Sequence, residues 1–182
     1  MKLNINIEKF LTKKNFKLIH LDSVNSTMTE IKKYTEDKKN ICMIADEQKE
    51  GIGRRGNKWI SPKGNVYISF LFKYDLLIEE HFLLSAVAAN SIVSLLELYI
   101  NEKINIKWPN DIMVNNRKIA GIITEIIEIN YSKYIIIGIG INILSSPKID
   151  DYLTCCLSDY LINIKYEDIL FDMIRLYFDE YE

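Results

Sequence analysis

The residues most suggestive of chemistry form the run Gly51-Ile52-Gly53-Arg54-Arg55-Gly56, which fits two incompatible kinds of site. Its G-x-G-x-x-G spacing is typical of a dinucleotide-binding turn, and such a turn needs a strand before it and a helix directly after it. Residues 41–45 predict the strand, but Pro62 and Gly64 mark a turn, and residues 65–72 alternate like another strand. The adjacent arginines instead favour a mobile loop that closes over an anion.

Other polar residues and glycines have a structural as well as a functional interpretation. Ser26 and Thr27 are sound N-cap residues for a helix. Lys118 follows Asn115-Asn116, a turn signal that is typical of a surface hairpin. Glycine at positions 138 and 140 is typical of a β-bulge as well as of a close approach by a ligand. From the residues alone, these alternatives stay open.

Composition limits the classes of protein to consider. With 182 residues and 48% hydrophobic content, the chain predicts a single soluble domain over residues 1–182. The net charge of −2 gives no electrostatic case for a nucleic-acid partner. No stretch approaches the ~20 apolar residues that span a bilayer, so we expect no membrane contact. Three cysteines without C-x-x-C spacing predict reduced thiols and a cytoplasmic location. His20 and His81 lack partners at metal or triad spacing, and we interpret both as structural.

Hydrophobic periodicity predicts more strands than helices. Because strands follow one another through short turns, the pattern favours an α+β fold with a mixed β-sheet and helices on one face. Strands are predicted at residues 17–22, 41–45, 65–72, 104–108, 119–129 and 134–141, and helices at residues 28–35, 79–100 and 166–181. The predicted apolar stripe of the longest helix comprises Phe82, Ala86, Ala89, Val93, Leu96 and Ile100.

Four blocks of residues, in this order, resemble the catalytic domain of biotin protein ligases (biotin–acetyl-CoA-carboxylase ligases). They are Asp22-Ser23-Val24-Asn25-Ser26-Thr27; Gln48 followed by Gly51-x-Gly53-Arg54-Arg55-Gly56-x-Lys58-Trp59; Lys107-Trp108-Pro109-Asn110-Asp111 with Arg117-Lys118-Ile119-Ala120-Gly121; and Gly138-Ile139-Gly140-Ile141-Asn142. The resemblance covers about residues 17–182. It implies a fold related to class II aminoacyl-tRNA synthetases, without the N-terminal DNA-binding domain or the small C-terminal β-barrel that other members carry.

The resemblance also implies a reaction in two steps. The biotin carboxylate attacks the α-phosphorus of ATP to give biotinyl-5′-AMP and pyrophosphate, and a lysine amine of an acceptor protein then displaces AMP. Because the first step joins two anions, it needs fixed positive charge and Mg²⁺, and Lys118 and Arg54 are the implied catalytic cations. The implied partner is the biotin carboxyl carrier domain of acetyl-CoA carboxylase or of a related carboxylase. The implied assembly is a monomer or a homodimer.

The same resemblance implies two pockets and one further contact. The residues implied in biotin binding are Ser26, Thr27, Gln48, Ile52, Gly53, Arg54, Lys118, Gly138 and Gly140. The residues implied in binding ATP and the adenylate are Gly51, Arg54, Arg55, Trp59, Asn110 and Asn142. Asp111 is implied as an orienter of Lys118 or as a Mg²⁺ contact.

The chain departs from the family pattern at four positions. Asn25 and Met28 stand where the family commonly carries aspartate and asparagine. Ile52 stands where the family usually carries arginine, and Asn57 where it often carries arginine or lysine. We therefore expect biotinyl-AMP to be lost faster than from an all-arginine loop. A lipoate–protein ligase shares the fold and the adenylate chemistry and stays open as an alternative. A non-catalytic module that binds biotin or a nucleotide is the second alternative.

Overall fold

The computed structural model describes residues 5–37, 39–74, 81–149 and 152–181. Within these ranges the helices are α1 (Ile5–Lys13), α2 (Thr27–Glu30), α3 (His81–Tyr99) and α4 (Tyr166–Tyr181). The strands are β1 (Phe16–Leu21), β2 (Asn40–Ala45), β3 (Val66–Lys73), β4 (Ile104–Lys107), β5 (Asp111–Val114), β6 (Arg117–Ile129) and β7 (Ser132–Ile141). Short 3₁₀ turns include Ile31–Asp37, Arg54–Gly56 and Leu157–Asp159.

These strands form one mixed sheet in the order β1-β2-β3-β7-β6-β5-β4. Strands β1 and β2 run parallel, with Leu21 opposite Ala45 at their carboxyl ends, and the other neighbours are antiparallel. Parallel neighbours need a crossover connection, and α2 with the 3₁₀ turn at Ile31–Asp37 lies in that connection. Because the two strands are parallel, the segments that follow them leave the sheet side by side.

The three long helices cover one face of the sheet. Along β2, Cys42 and Ile44 belong to the core that contains α1, α3 and α4. The alternate residues, Ile41 and Met43, belong to a smaller core on the other face, together with Met28 of α2. The cleft described below lies on this second face, whose covering by helix is slight.

The predicted fold class is confirmed, with local differences. The helix predicted at residues 28–35 is a single α-turn continued by a 3₁₀ turn. Strand β5 and helix α1 have no counterpart among the predicted elements. Helix α1 is not predicted because its nine residues bury only Ile7 and Leu11. Two apolar positions are too few to give a helical periodicity among the surrounding polar residues.

Helix α3 buries part of the predicted stripe together with a neighbouring row of residues. Ala89, Leu96 and Ile100 of the stripe are buried, whereas Phe82 is 51% exposed. The neighbouring buried residues are Leu84, Ala88, Ile92 and Leu95. By length and composition alone, the 18 residues Phe82–Tyr99, with a mean hydropathy of 1.6, are apolar enough to cross a membrane. This departs from the expectation that no stretch approaches that length. In the structure the helix packs against α4 and β6, as the core helix of a folded domain does.

Candidate active site

The parallel ends of β1 and β2 place two polar segments next to each other. Beyond the strands, the backbone of Lys49 donates to the carbonyl of Val24 at 2.9 Å, and that of Glu50 donates to Asn25 at 2.8 Å. These bonds continue the parallel pairing outside the sheet. They bring Thr27, at the start of α2, to within hydrogen-bond distance of Gln48.

A relay of hydrogen bonds joins Thr27 and Gln48 to the glycine loop. Ser69 of β3 donates to Thr27 Oγ1 at 2.8 Å, and Gln48 Oε1 accepts from the backbone N–H and the hydroxyl of Thr27 at 2.8 and 3.0 Å. Gln48 Nε2 then donates to Ser61 Oγ at 2.9 Å, which donates to the carbonyl of Trp59. Most of the hydrogen-bonding groups of Thr27 and Gln48 are thus paired with each other or with protein neighbours. The resemblance implies that both side chains bind biotin, but few of their donors and acceptors are left for a ligand.

Ser26 and Trp59 each have a polar atom that takes no part in this relay of hydrogen bonds. The Ser26 hydroxyl and the Trp59 indole N–H are buried, and neither has a hydrogen-bond partner. Both residues line the same cleft. Because burying an unpaired polar group costs about 1–3 kcal/mol, these two atoms are the ones best placed to bind a polar ligand.

Three glycines on β6 and β7, Gly121, Gly138 and Gly140, form the floor of the cleft. Gly121 and Gly140 lie directly opposite each other across these strands. A methyl group on Gly140 would lie 2.6 Å from the indole of Trp59, and one on Gly121 would lie 3.1 Å from it. One on Gly138 would lie 2.6 Å from the sulfur of Met28. The prediction places a bicyclic ligand against Gly138 and Gly140, but the side chains of Met28 and Trp59 occupy those positions.

The Lys118 side chain lies beside the glycine floor, close to Gly121. Lys118 Nζ pairs with Asp111 Oδ1 at 2.8 Å, and the lysine side chain is only 13% exposed. The ammonium lies 5.2 Å from the ring centroids of both Trp59 and Tyr152, which is within cation–π range. Its position is therefore defined on three sides, by one carboxylate and two aromatic rings.

Arg54 connects the loop to the same cluster. Its guanidinium donates to Asn110 Oδ1 at 2.6 Å, and Asn110 Nδ2 donates to Asp111 Oδ1 at 2.9 Å. Asn110 and Asp111 therefore join the two predicted catalytic cations, Arg54 from the loop and Lys118 from β6. Arg55 is exposed and has a φ of +55°, so the two adjacent arginines have different environments.

The glycine loop folds as a hairpin, which excludes the dinucleotide-turn interpretation. Trp59 N–H donates to the Gly51 carbonyl at 2.8 Å, and Gly53 N–H donates to the Asn57 carbonyl at 2.7 Å. A strand, β3, follows the loop where a helix would be required. Gly56 has a φ of +79°, and a side chain on Gly51 would lie 2.3 Å from the Trp59 carbonyl oxygen.

The cleft above this floor is narrow, with a cavity volume of about 40 Å³, and one side of it is open to solvent. Met28, Gly121 and Ile123 also line it and are not among the predicted site residues. Gly51, Gly53, Arg54, Arg55, Asp111 and Asn142 are not part of its lining. The predicted residues that do line it are Ser26, Thr27, Gln48, Ile52, Trp59, Asn110, Lys118, Gly138 and Gly140.

Asn142 supports the cleft from behind. It is 1% exposed, and its Nδ2 donates to the carbonyl of Cys155 at 3.0 Å. The segment around Cys155 pairs in turn with Lys118, whose backbone N–H donates to Leu153 at 2.9 Å. Asn142 thus anchors this segment through its Nδ2, while its Oδ1 is buried without a hydrogen-bond partner, and the predicted contact with adenine stays a prediction. This segment also carries Tyr152, whose proximity to Lys118 has no signal in the sequence.

The donor set beside the cleft does not fit a resident Mg²⁺. Among the described residues, no carboxylate lines the cleft, and Asp111 is already engaged by Lys118 and Asn110. Mg²⁺ requires octahedral oxygen ligands, so binding there would compete with the Lys118 ammonium. The geometry favours the orienting role of Asp111 over the metal contact.

The model of the Biotin/lipoate A/B protein ligase family matches residues 20–142, which include both strand ends, the glycine loop and the glycine floor. The chain belongs to this family. Its membership confirms the resemblance carried by the four residue blocks.

Curated relatives in the family include bifunctional ligase/repressors. The chain is 34% identical to Bifunctional ligase/repressor BirA of Bacillus subtilis over 134 residues, covering 71% of this chain and 41% of that protein. It is 35% identical to the protein of the same name from Escherichia coli over 124 residues, covering 67% of this chain and 38% of that protein. The chain thus spans about two fifths of the length of the curated relatives that it matches.

Solved structures of biotin protein ligases share the fold. The Leishmania major enzyme in complex with biotinyl-5-AMP has a TM-score of 0.66 and 26% identity, covering 90% of this chain and 72% of that one. The Aquifex aeolicus enzyme in complex with biotin and ATP has a TM-score of 0.67 and 25% identity, covering 90% and 69%. Plasmodium falciparum LipL1 in complex with lipoate has a TM-score of 0.59 at 15% identity, covering 90% and 62%, and shares the fold alone.

Proposed function

We propose that the protein is an ATP-dependent biotin–protein ligase. It forms biotinyl-5′-AMP and transfers biotin to a lysine of a biotin carboxyl carrier domain. The observation that carries the proposal is the linked cation pair, in which Asn110 and Asp111 hold Arg54 and Lys118 at one end of a glycine-floored cleft. The Leishmania major and Aquifex aeolicus relatives, which bind biotinyl-5-AMP and biotin with ATP, support this choice of ligands.

In the first step the two cations offset the repulsion between two anions. A carboxylate oxygen of biotin forms a bond to the α-phosphorus of ATP, and the bond from that phosphorus to pyrophosphate breaks. Lys118, fixed by Asp111 and two rings, is placed to hold the carboxylate and the phosphate oxygens as charge shifts between them. Mg²⁺ enters with ATP as part of the substrate and neutralises the departing pyrophosphate.

In the second step the acceptor lysine amine attacks the acyl carbon of the adenylate. The carbon–oxygen bond to AMP breaks, the amine loses a proton, and AMP leaves with its charge held by the same cations. Water would hydrolyse the mixed anhydride in competition with this attack. The hairpin at Gly51–Trp59, which places Ile52 over the cleft, limits the access of water to it.

Lipoate–protein ligation is the second candidate, because the fold is common to both. The sequence relationship favours biotin, since the biotin protein ligases of Leishmania major and Aquifex aeolicus are 26% and 25% identical to this chain and LipL1 is 15% identical. The cytoplasmic location is also a proposal. Three free, buried cysteines support a reducing compartment.

A single set of assays distinguishes these functions. The protein is mixed with Mg·ATP, a biotin carboxyl carrier domain, and either biotin or lipoate, and pyrophosphate release and acceptor modification are measured. Biotin-dependent release with acceptor biotinylation is expected. Activity with lipoate alone would replace the proposal with the second candidate, and ligand binding without pyrophosphate release would indicate a non-catalytic module.

Lys118→Ala tests the role of the cation directly. Removing a group that stabilises developing charge costs about 10²–10³ in rate, so biotin-dependent pyrophosphate release should fall by that factor while the thermal transition stays cooperative. Lys103→Ala, in an exposed lysine just before β4, is the matched control and should keep wild-type activity. Near-normal turnover by Lys118→Ala would refute the assigned role.

A further inference from the structure

A second cluster of ligand-type side chains lies outside the cleft, at the carboxyl ends of the parallel strands β1 and β2. His20, Asp22 and Asp46 each offer one ligand atom here, and these atoms lie within 4.8 Å of one another. His20 Nε2 and Asp46 Oδ1 are 2.7 Å apart, with the two side chains 17% and 14% exposed. The proposed ligase reaction uses none of these three residues.

We propose that His20, Asp22 and Asp46 form a binding site for a divalent first-row transition-metal ion. Ligand atoms around such an ion, at about 2.0–2.2 Å from the metal, lie about 3.0–4.2 Å from one another. The observed spread of up to 4.8 Å reaches this range with small side-chain rotations. Two carboxylates and a neutral imidazole carry two negative charges, which match a divalent cation.

The identity of the donors selects the class of metal. Imidazole nitrogen suits Zn²⁺, Co²⁺ and Ni²⁺, whereas Mg²⁺ and Ca²⁺ prefer oxygen alone. Asp22 is exposed, so water has access to the remaining coordination positions. The site is therefore distinct in chemistry, as well as in place, from the Mg·ATP of the proposed reaction.

The backbone holds the three ligands in a fixed relation. Asp46 N–H donates to the Leu21 carbonyl at 3.0 Å, between the positions of His20 and Asp22 along β1. His20 and Asp46 are far apart along the chain, and the parallel pairing of β1 with β2 brings them together. For this reason His20 has no partner at metal-ligand spacing in the sequence and is predicted to be structural. In the folded chain, two carboxylates lie beside it.

The position of the ion gives it a structural consequence. The segments that leave this cluster are the ones that pair side by side and carry Thr27 and Gln48 into the cleft. An ion bound to both strand ends would brace the base of these segments. It would stabilise the folded chain without touching the reacting atoms.

Titration with Zn²⁺ by calorimetry, in the absence of nucleotide and biotin, tests the proposal. One equivalent should bind, and Co²⁺ should give visible absorption from nitrogen and oxygen coordination. His20→Asn, Asp22→Asn and Asp46→Asn should each weaken Zn²⁺ binding by at least about tenfold. The matched controls are His81→Asn, in the other histidine of the sequence, and Glu102→Gln, in an exposed carboxylate; both should bind as the wild type does.

Thermal denaturation provides the second readout. At a Zn²⁺ concentration one hundred times the dissociation constant, the melting temperature should rise by about 5–10 °C, and the rise should disappear in Asp22→Asn. Because Asp22 is exposed, this variant keeps the test meaningful if the other two fold poorly. Equal Zn²⁺ affinity in wild type and Asp22→Asn, or no binding at all, would overturn the proposal and leave His20 and Asp46 as a hydrogen-bonded pair.

Discussion

Gly140→Ala is the substitution whose effect can be worked out most directly from the structure. The added methyl carbon would lie 2.6 Å from Cε2 and Nε1 of the Trp59 indole. Unstrained contacts between carbon atoms are ~3.5–4.0 Å, so the ring must withdraw from the floor by about 1 Å. The φ of Gly140 is not in the positive region, which leaves steric displacement of Trp59 as the cause of any effect.

Two costs follow from this displacement. Overpacking a well-packed site destabilises a fold by about 1–3 kcal/mol. Misplacing a group in a catalytic cleft by ~1 Å costs about 10²-fold in rate. Trp59 also contributes one of the rings that flank the Lys118 ammonium. We therefore expect a loss of about 10²-fold in biotin-dependent pyrophosphate release, with a folded protein.

The assay combines that rate with Trp59 fluorescence. The chain has two tryptophans, and Trp108 is 60% exposed, so a Trp108→Phe background isolates the signal of Trp59. Ala88→Val, which overpacks α3 on the other face of the sheet, is the control for stability alone. Gly138→Ala should lose less activity than Gly140→Ala, because its methyl group meets the flexible side chain of Met28 at 2.6 Å and a single methyl group of Ile123 at 2.9 Å, and neither residue flanks the Lys118 ammonium.

Two results would contradict this role of the glycine floor. If Gly140→Ala retains wild-type turnover and an unchanged Trp59 spectrum, the indole does not rest on the floor during the reaction. If Ala88→Val loses as much activity as Gly140→Ala at equal stability, the loss is a general effect of destabilisation and the floor has no special role.

Three further predictions concern the thiols, the anchor behind the cleft and the charge of the loop. Burial raises the pKa of the Cys42 and Cys155 thiols, so these two thiols of the native protein should react with Ellman's reagent far more slowly than those of the unfolded chain up to pH 9. Fast reaction of more than one equivalent, which the remaining thiol of Cys156 cannot supply alone, would contradict this. Asn142→Ala removes the hydrogen bond to the Cys155 carbonyl and should lower the free energy of unfolding in urea by about 1–3 kcal/mol; an unchanged urea midpoint would count against the anchoring role. Adding arginines at positions 52 and 57 should slow the release of biotinyl-AMP up to about fivefold, equivalent to ~1 kcal/mol, and an off-rate equal to that of the wild type would show that these positions lack electrostatic influence.

The strands that build the cleft are predictable from sequence because their patterns are local. The predicted strand at residues 134–141 corresponds to β7, Ser132–Ile141, and that at 41–45 corresponds to β2, Asn40–Ala45. Short runs of apolar residues that include isoleucine account for both. Helix α1 falls below that threshold, because only two of its residues are buried.

Some residues of the site can be recognised from the local sequence, whereas others reach the site only through the fold. Lys118, Trp59 and Gln48 are recognisable because they occur in dense, unusual blocks of residues. The contact of Met28 with Gly138 and that of Tyr152 with Lys118 depend on side chains brought together by the sheet. No single-sequence pattern encodes such contacts, and an isolated Met or Tyr is most often an ordinary core or surface residue.

The cross-strand pair of Gly121 and Gly140 constrains how this cleft can change during evolution. The pair lies between β6 and β7, the most extensive strand pairing in the sheet, and presents backbone where other positions present side chains. Backbone atoms cannot be altered by substitution, and adding a side chain here displaces Trp59. New ligand preferences must therefore arise above the floor, through the hairpin and α2, while the sheet beneath stays unchanged.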